Sequence, residues 1–365
     1  MKFHPLKSRN KNDSGIILLI VLWFLAILSL LAVSLGRRTS VDLKLAGYSV
    51  GKFKSDQTAW AGFIYALDLI KKDSEDKEAN SFDTRYQCAV KFDTNEAPEG
   101  IFKDVELGQG HFDISYADRD DNGVRQVRFG FRDEESKINL NGVTAQNMAV
   151  LAQLIVLLDF NEDEAGNIAA AVADWIDGDS TLAGVSMGAE DGDYAGLTKP
   201  YHCKNLPFDS VEELLLVKGM TPQIFAKIRS YVTIFPKEGP LAVNINTASK
   251  TVLRALARSS AGPVTNTQLS DADSLVEKII EYRHGEDKEE FSADDRNVDM
   301  NEAGFTGLLN GKERAIFQTI RPNLVNSARC IRLGIKAVDS SSEVESWIEA
   351  VILRDDLSVV FWKRN

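Results

Sequence analysis

Five carboxylates crowd one glycine-rich stretch: Asp177, Asp179, Glu190, Asp191 and Asp193. Like charges at such density repel unless a cation neutralises them, and hard oxygen donors select Ca²⁺ over softer metals. The interval from Asp179 to Glu190, with Gly184 between, mimics positions 1, 6 and 12 of an EF-hand loop. Positions 3 and 5 are Thr181 and Ala183, so the loop is not an EF-hand. From these residues alone, a calcium site and a solvated acidic loop are both open. Asp294 and Asp295 form a second, sparser acidic pair. Asp118 to Phe129 fails as a calcium loop because Phe stands where the bidentate Glu must be.

Other chemistry is poorly supplied. His4, His111, His202 and His284 are scattered without metal-ligand spacing, and no nucleophile elbow or phosphate loop occurs. His202 adjoins Cys203, but neighbours in sequence rarely face each other, so a surface histidine beside a structural cysteine is expected. Cys88, Cys203 and Cys330 allow at most one disulfide and match no zinc motif. No enzyme activity is expected. The net charge of −12 argues against non-specific nucleic-acid binding.

The elements that must carry the acidic loop start from a hydrophobic N-terminus. Ile16 to Leu35 is an uncharged run of 20 residues, enough to cross a bilayer as a helix. Lys2, Lys7, Arg9 and Lys11 precede it against one acid, Asp13, which holds the N-terminal tail in the cytoplasm. Arg37 and Arg38 follow the span. The apolar run is longer than that of a secretory signal, and Ser34-Leu35-Gly36 is a poor cleavage site. Gly15, between the basic leader and the apolar run, resembles the type IV prepilin signal. That resemblance implies cleavage by prepilin peptidase between Gly15 and Ile16.

No proline occurs between Ile16 and Pro98, and Val41, Leu45, Tyr48, Trp60, Phe63, Leu67 and Ile70 recur at helical spacing. One helix to about residue 72 is predicted, a rod of roughly 85 Å. A break near Gly47 or Gly51 is the alternative. Residues 73–100 read as a loop with one short strand over Tyr86–Phe92. Phe112, Ile114 and Tyr116, then Val127, Phe129 and Phe131, alternate around Asp120-Asp121-Asn122-Gly123 as a hairpin. Helices are predicted over Ala145–Leu158, Ala165–Ile176, Val211–Val217, Pro222–Tyr231, Ala248–Ala257, Leu275–Arg283 and Gly311–Ile320. Strands return over Arg329–Val338, Val344–Arg354 and Ser358–Lys363.

The fold class expected is α/β (α+β): a pilin-like long N-terminal helix on a small antiparallel sheet, with a large inserted all-α domain. The segments are a leader (1–15), a transmembrane helix (16–36), the first part of the core (37–141), the helical insertion (142–325) and C-terminal core strands (326–365).

Three segments carry a family likeness. They are Phe131-Arg132-Asp133-Glu134-Glu135-Ser136-Lys137-Ile138-Asn139-Leu140-Asn141; Ala173-Asp174-Trp175-Ile176-Asp177-Gly178-Asp179 with Gly188-Ala189-Glu190-Asp191-Gly192-Asp193-Tyr194; and Lys204-Asn205-Leu206-Pro207-Phe208 with Glu212-Glu213-Leu214, Lys218-Gly219-Met220 and Val243-Asn244-Ile245-Asn246-Thr247-Ala248. In this order they resemble the K-type minor pseudopilins of type II secretion, the GspK family, over nearly the whole chain. Pilins and most pseudopilins carry Glu at the fifth mature position; here that residue is Ile20, as in this family. The resemblance implies a subunit anchored in the bacterial inner membrane with its bulk in the periplasm. It further implies methylation of the Ile16 amino group after cleavage. The implied partners are the I-type and J-type minor pseudopilins at the tip of the pseudopilus filament. Calcium binding in the helical domain is implied too, at Asp177, Asp179, Glu190, Asp191 and Asp193.

Two rival readings remain at this point. A type IV pilus minor pilin would carry a similar anchor. Leu216-Val217-Lys218-Gly219-Met220-Thr221 and Asn244-Ile245-Asn246-Thr247-Ala248 also resemble helix-hairpin-helix units, which would make the chain an exported DNA receptor. Only Lys218 and Lys227 lie near the first turn, however, and no nucleic acid is expected. The prepilin reading predicts that Gly15→Ala leaves the leader attached. Normal-sized mature protein from that variant on immunoblots would count against it.

Overall fold

The computed structural model describes residues 13–75, 99–119, 125–184, 187–260, 266–290, 292, 294–300 and 303–365. The strand expected over Tyr86–Phe92, the turn at Asp120–Gly123, and Cys88 lie outside these residues. In chain order the main elements are α1 (Asp13–Glu75), α2 (Glu99–Phe102), β1 (Val105–Leu107), β2 (Gly110–Arg119), β3 (Arg125–Phe129), β4 (Arg132–Asp133) and β5 (Ile138–Asn139). Next come α3 (Ala149–Leu157), α4 (Glu162–Ile176), α5 (Asp191–Ala195), α6 (Pro222–Ile228), β6 (Val232–Thr233), β7 (Val243–Asn244), α7 (Lys250–Ser259) and α8 (Asn266–Arg283). The chain closes with α9 (Ala303–Thr306), α10 (Gly311–Ile320), β8 (Leu324–Val325), β9 (Cys330–Asp339), β10 (Val344–Leu353) and β11 (Val359–Arg364).

α1 is one helix of 63 residues with no break at Gly47 or Gly51. At 1.5 Å per residue it is a rod of roughly 95 Å. Its residues from Gly15 to Val50 are all exposed, and this half is long and apolar enough to cross a membrane. From Gly51 onward one stripe is buried: Gly51, Ser55, Thr58, Ala59, Gly62, Phe63, Ala66, Ile70 and Asp73. These recur at helical spacing and turn a face of small residues to the sheet.

Gly47 stands in the open, whereas Gly51, the other glycine that looked like a break, is a point of close approach, and so is Gly62. A Cβ on Gly51 would stand 2.1 Å from Ser342 Oγ, and one on Gly62 would stand 2.9 Å from the Phe112 ring and 3.0 Å from Ile335 Cγ2. Val41, Leu45, Tyr48 and Trp60, expected on a packed face, are exposed; Phe63 and Ile70 are buried. Beyond the packed stripe, the end of α1 is tied by a buried ion pair between Asp73 and Arg354.

The sheet runs β1-β2-β9-β10-β11, all antiparallel, with β3 on β2 and β4 on β9. β9 is central. Ile331, Leu333, Ile335 and Ala337 alternate along it, and with Phe112, Ile114, Ile348, Ala350 and Ile352 they form the apolar layer against α1. The expected C-terminal strands match β9, β10 and β11 to within a residue or so. Phe131 does not continue the hairpin: Gly130 has φ of 128°, and Phe131 turns to pack on Phe102 at 5.0 Å.

A second apolar cluster fills the helical body between β5 and β8. Two short parallel pairings tie its loops, Ile138 to Val232 and Val243 to Leu324. Here the elements differ from expectation at their ends. α3 starts at Ala149, because Asn147 accepts from Thr144 N at 2.7 Å and donates to Gly142 O at 2.9 Å, closing a turn where a first helical turn was expected. Val211–Leu216 is a 3₁₀ turn capped by Ser210 and Glu213. α8 begins nine residues before the expected Leu275.

The close α1–sheet contact makes Gly62 intolerant of bulk. Gly62→Val should destabilise the fold by roughly 1–3 kcal/mol through overpacking, seen as a lower midpoint in urea with an unchanged slope. A variant as stable as the parent would remove the close approach as a constraint.

Candidate metal centre

α4 is built to end in trouble. Asn161 caps its start, accepting from Asp163 N at 2.9 Å and Glu164 N at 3.2 Å, and the acids of its first turn suit the positive end of the helix dipole. Its last turn has no basic residue, while Asp174 lies within it and Asp177 caps it. Carboxylates at the negative end of a helix dipole are destabilised until a cation reaches them.

Asp174 is fully buried and builds the loop. Its Oδ1 accepts from Ala183 N at 2.6 Å and its Oδ2 from Ala189 N at 2.7 Å. Gly188 must cross directly over this carboxylate: its φ is 112°, and a Cβ there would lie 2.0 Å from Asp174 Oδ2. Asp179 accepts from Thr181 N at 2.7 Å, closing the turn between. The loop thereby returns to set Glu190 against the end of α4.

The result is a cluster of Asp177, Asp179 and Glu190, each offering one carboxylate oxygen within 4.8 Å of the others. Asp177 Oδ1 and Glu190 Oε1 are buried and have no hydrogen-bond partner among the described residues. Burial pushes both carboxyls above their ordinary range, and the charges of Asp174 and Asp179 add to the push. Unpartnered buried oxygens, hard donors and mutual repulsion together fit a Ca²⁺ ion better than any hydrogen-bonded alternative.

Asp191 and Asp193, the other two carboxylates expected at this site, are drawn elsewhere. Asp191 Oδ1 accepts from Cys203 N at 2.7 Å, and its Oδ2 lies 3.3 Å from His202 Nδ1. Asp193 Oδ2 accepts from Glu190 N at 3.1 Å, and its Oδ1 pairs with Lys218 Nζ at 2.8 Å. They hold the start of α5, and so fix Glu190, rather than joining the cluster. Asp294 likewise spends its oxygens on local turns, accepting from Ser292 Oγ, Glu286 N and Asp287 N.

Aromatic packing backs the loop: Trp175 lies edge-on to Tyr194 at 5.3 Å, and Tyr194 Oη accepts from Lys218 N. His202 and Cys203 do not pair. His202 is exposed, whereas Cys203 is buried with its thiol toward Asp174 O at 3.5 Å and pushed up to about 11 by burial. Cys203 and Cys330 are both free thiols. The helix-hairpin-helix resemblance is absorbed by packing. Gly219 sits against Ile168, Lys218 is paired with Asp193, and Lys227 donates to Leu158 O at 2.8 Å above the Phe160 ring. Asn246 in the second unit clasps the Val298 backbone through both ends of its amide.

The asparagines of the first family segment have equally structural roles. Asn141 accepts from Phe208 N at 2.7 Å and donates to Ile234 O at 3.0 Å; Asn139 donates to Pro236 O at 2.7 Å. Nothing in their spacing revealed this, because the partners lie far along the chain.

Residues 136–237, which contain the whole cluster, match the profile of the family described as type II secretion system (T2SS), protein K. Type II secretion system protein K of Aeromonas hydrophila is 27% identical over 252 residues, covering 65% of this chain and 68% of that protein. The protein of the same name from Pectobacterium carotovorum subsp. carotovorum is 26% identical over 273 residues, covering 75% and 76%. The fold is similar to a chain in the crystal structure of the GspK–GspI–GspJ complex from the enterotoxigenic Escherichia coli type 2 secretion system, with a TM-score of 0.57 and 18% identity over 87% of this chain and 99% of that one. Membrane-length helix, antiparallel sheet, helical body and matched segments agree in their direction: the chain is similar to the type II secretion system protein K family.

Proposed function

We propose that this protein is a minor pseudopilin, with no enzymatic activity, that stands in the inner membrane on α1 with its sheet and helical body in the periplasm. Prepilin peptidase removes residues 1–15, and the new amino terminus at Ile16 is methylated. The protein joins the I-type and J-type minor pseudopilins and caps the tip of the pseudopilus, supporting export of folded proteins. The observation that carries this reading is one unbroken helix that leaves an apolar membrane-length run and then packs on a sheet. The likeness of the fold to a chain of a complex named for GspK, GspI and GspJ supports the choice of partners. A tip position suits Ile20, since no buried carboxylate awaits the amino terminus of a subunit above it.

The test is reconstitution. Residues from 37 onward, mixed with the periplasmic parts of the I-type and J-type proteins of the same genome, should elute as a 1:1:1 species by size-exclusion chromatography with light scattering. Three folded but separate proteins, with calcium present, would sink the tip-complex reading.

The second part of the proposal is that Asp177, Asp179 and Glu190 hold a structural Ca²⁺, which neutralises the end of α4 and pins the returning loop. At a hundredfold excess over Kd, calcium should stabilise the fold by about 2.7 kcal/mol, read as a higher Tm than in chelator. Asp177→Asn and Glu190→Gln should lose most of that rise. In chelator the same variants should melt at or above the parent, because each removes a repelling charge. Variants that keep the full calcium response would exclude these residues as ligands.

A further inference from the structure

Asp133, Glu134 and Glu135 are three consecutive buried carboxylates at the junction of sheet and helical body, outside the calcium cluster. Asp133 belongs to β4, paired on β9, yet its side chain reaches the helical body. Its Oδ2 meets the Thr247 hydroxyl and accepts from Asn244 Nδ2 at 2.8 Å, and its Oδ1 accepts from Glu135 N at 2.6 Å. Glu135 faces the other way, accepting from Arg329 N at 3.2 Å and Cys330 N at 3.1 Å. Glu134 is held by Arg332 and by the Thr233 hydroxyl.

The charges do not balance. Arg332 is shared with Glu349 of β10 at 2.6 Å, a partly exposed group that stands opposite Lys363 of β11. The cations within the junction that face the three buried carboxylates are Arg332 and Lys137 of the same segment, whereas Arg329 is exposed. Cys330, the remaining titratable group, stays a neutral thiol, because burial and then the charge of Glu135 oppose its ionisation. One negative charge is left over in a buried site, where it costs several kcal/mol unless it is neutralised.

Hydrogen-bond accounting says which group takes the proton. Burial and then the charge of Asp133 push the Glu135 carboxyl up as well, but both of its oxygens accept backbone N–H groups and cannot become donors without losing one. Glu134 is fixed as an anion beside Arg332. Glu134 also meets a hydroxyl, but Thr233 Oγ1 already accepts from Phe235 N; Asp133 Oδ2 faces the Thr247 hydroxyl, which makes no other side-chain hydrogen bond among the described residues and can reverse its role. We infer that in mildly acidic solution Asp133 is protonated in the folded protein, that its Oδ2–H donates to Thr247 Oγ1, and that this proton clamps the helical body to the sheet.

Burial, together with the charge of Glu134, pushes the Asp133 carboxyl up to about 6. The sign follows from linkage. An acid whose folded value lies above its unfolded value of about 3.9 holds a proton that the opened state releases, so the clamp weakens as pH rises from about 4 through about 6 and is level above that. The excess proton gives about a tenfold change in the opening constant between pH 5 and pH 7.5.

The experiment uses the full chain in detergent micelles. Backbone hydrogen exchange, corrected for the intrinsic effect of pH, is followed in segments 132–141 and 326–333 and in the core strand β10. Junction segments should open about tenfold more readily at pH 7.5 than at pH 5, while β10 is unchanged. In parallel, a protonated-carboxyl infrared band should titrate near pH 6 and vanish in Asp133→Asn, whose exchange should also lose the pH step. If that variant fails to fold, the parent titration alone decides. A parent with no such band, a step that persists in Asp133→Asn, or junction exchange unchanged across this range overturns the proposal.

Discussion

One helix must satisfy two solvents in succession, and the rest of the molecule is arranged around that demand. From Ile16 to Leu35, α1 carries no charge and is apolar on every face, as lipid requires. From Gly51 it must instead accept a sheet along one face without losing its helical hydrogen bonds. Gly51, Ser55, Ala59, Gly62 and Ala66 make this possible by bringing backbone rather than side chain to the strands. Each glycine costs helix propensity of about 1 kcal/mol relative to alanine. That cost is offset by the layer of Phe112, Ile114, Ile335 and Ile348 that the close approach allows to pack.

The helical body depends on this frame at second hand. It hangs from β4 at one end and β9 at the other, two strands that pair with each other. Departure and return are thus neighbours, which is how a long excursion can leave a small sheet without distorting it. At that neck the chain buries three carboxylates. Such groups contribute little net stability but demand one arrangement of partners, because any other leaves a charge unpaired. Thr247 and Asn244 from one body, and Arg332 from the other, meet only in the observed orientation.

Much of this was legible in the sequence, and what escaped did so for physical reasons. The anchor, the alternation in β9 and β10, and helices such as α10 declare themselves through local periodicity and turn residues. Asp177, Asp179 and Glu190 were legible as part of an acidic group, but composition alone could not tell which carboxylates would gather and which would brace the loop. Asp191 and Asp193 have the same chemistry and differ only in what the fold sets beside them, namely Cys203 N and Lys218. The meaning of Gly51 was misjudged as a possible break because a helix tolerates glycine when another surface comes close, and that surface lies almost 300 residues away in sequence. The Asp133–Glu135 run read as a family mark without a mechanism for the same reason.

The stretch of α1 between the end of its apolar run and Gly51 is bare on all sides. Its length, 15 residues beyond Gly36, raises the lower rim of the sheet by about 22 Å along the helix axis. The protein therefore carries its folded mass on a stilt. The stilt sets a clearance of about 20 Å between the apolar run and the sheet, and every face of it is left for whatever stands beside it.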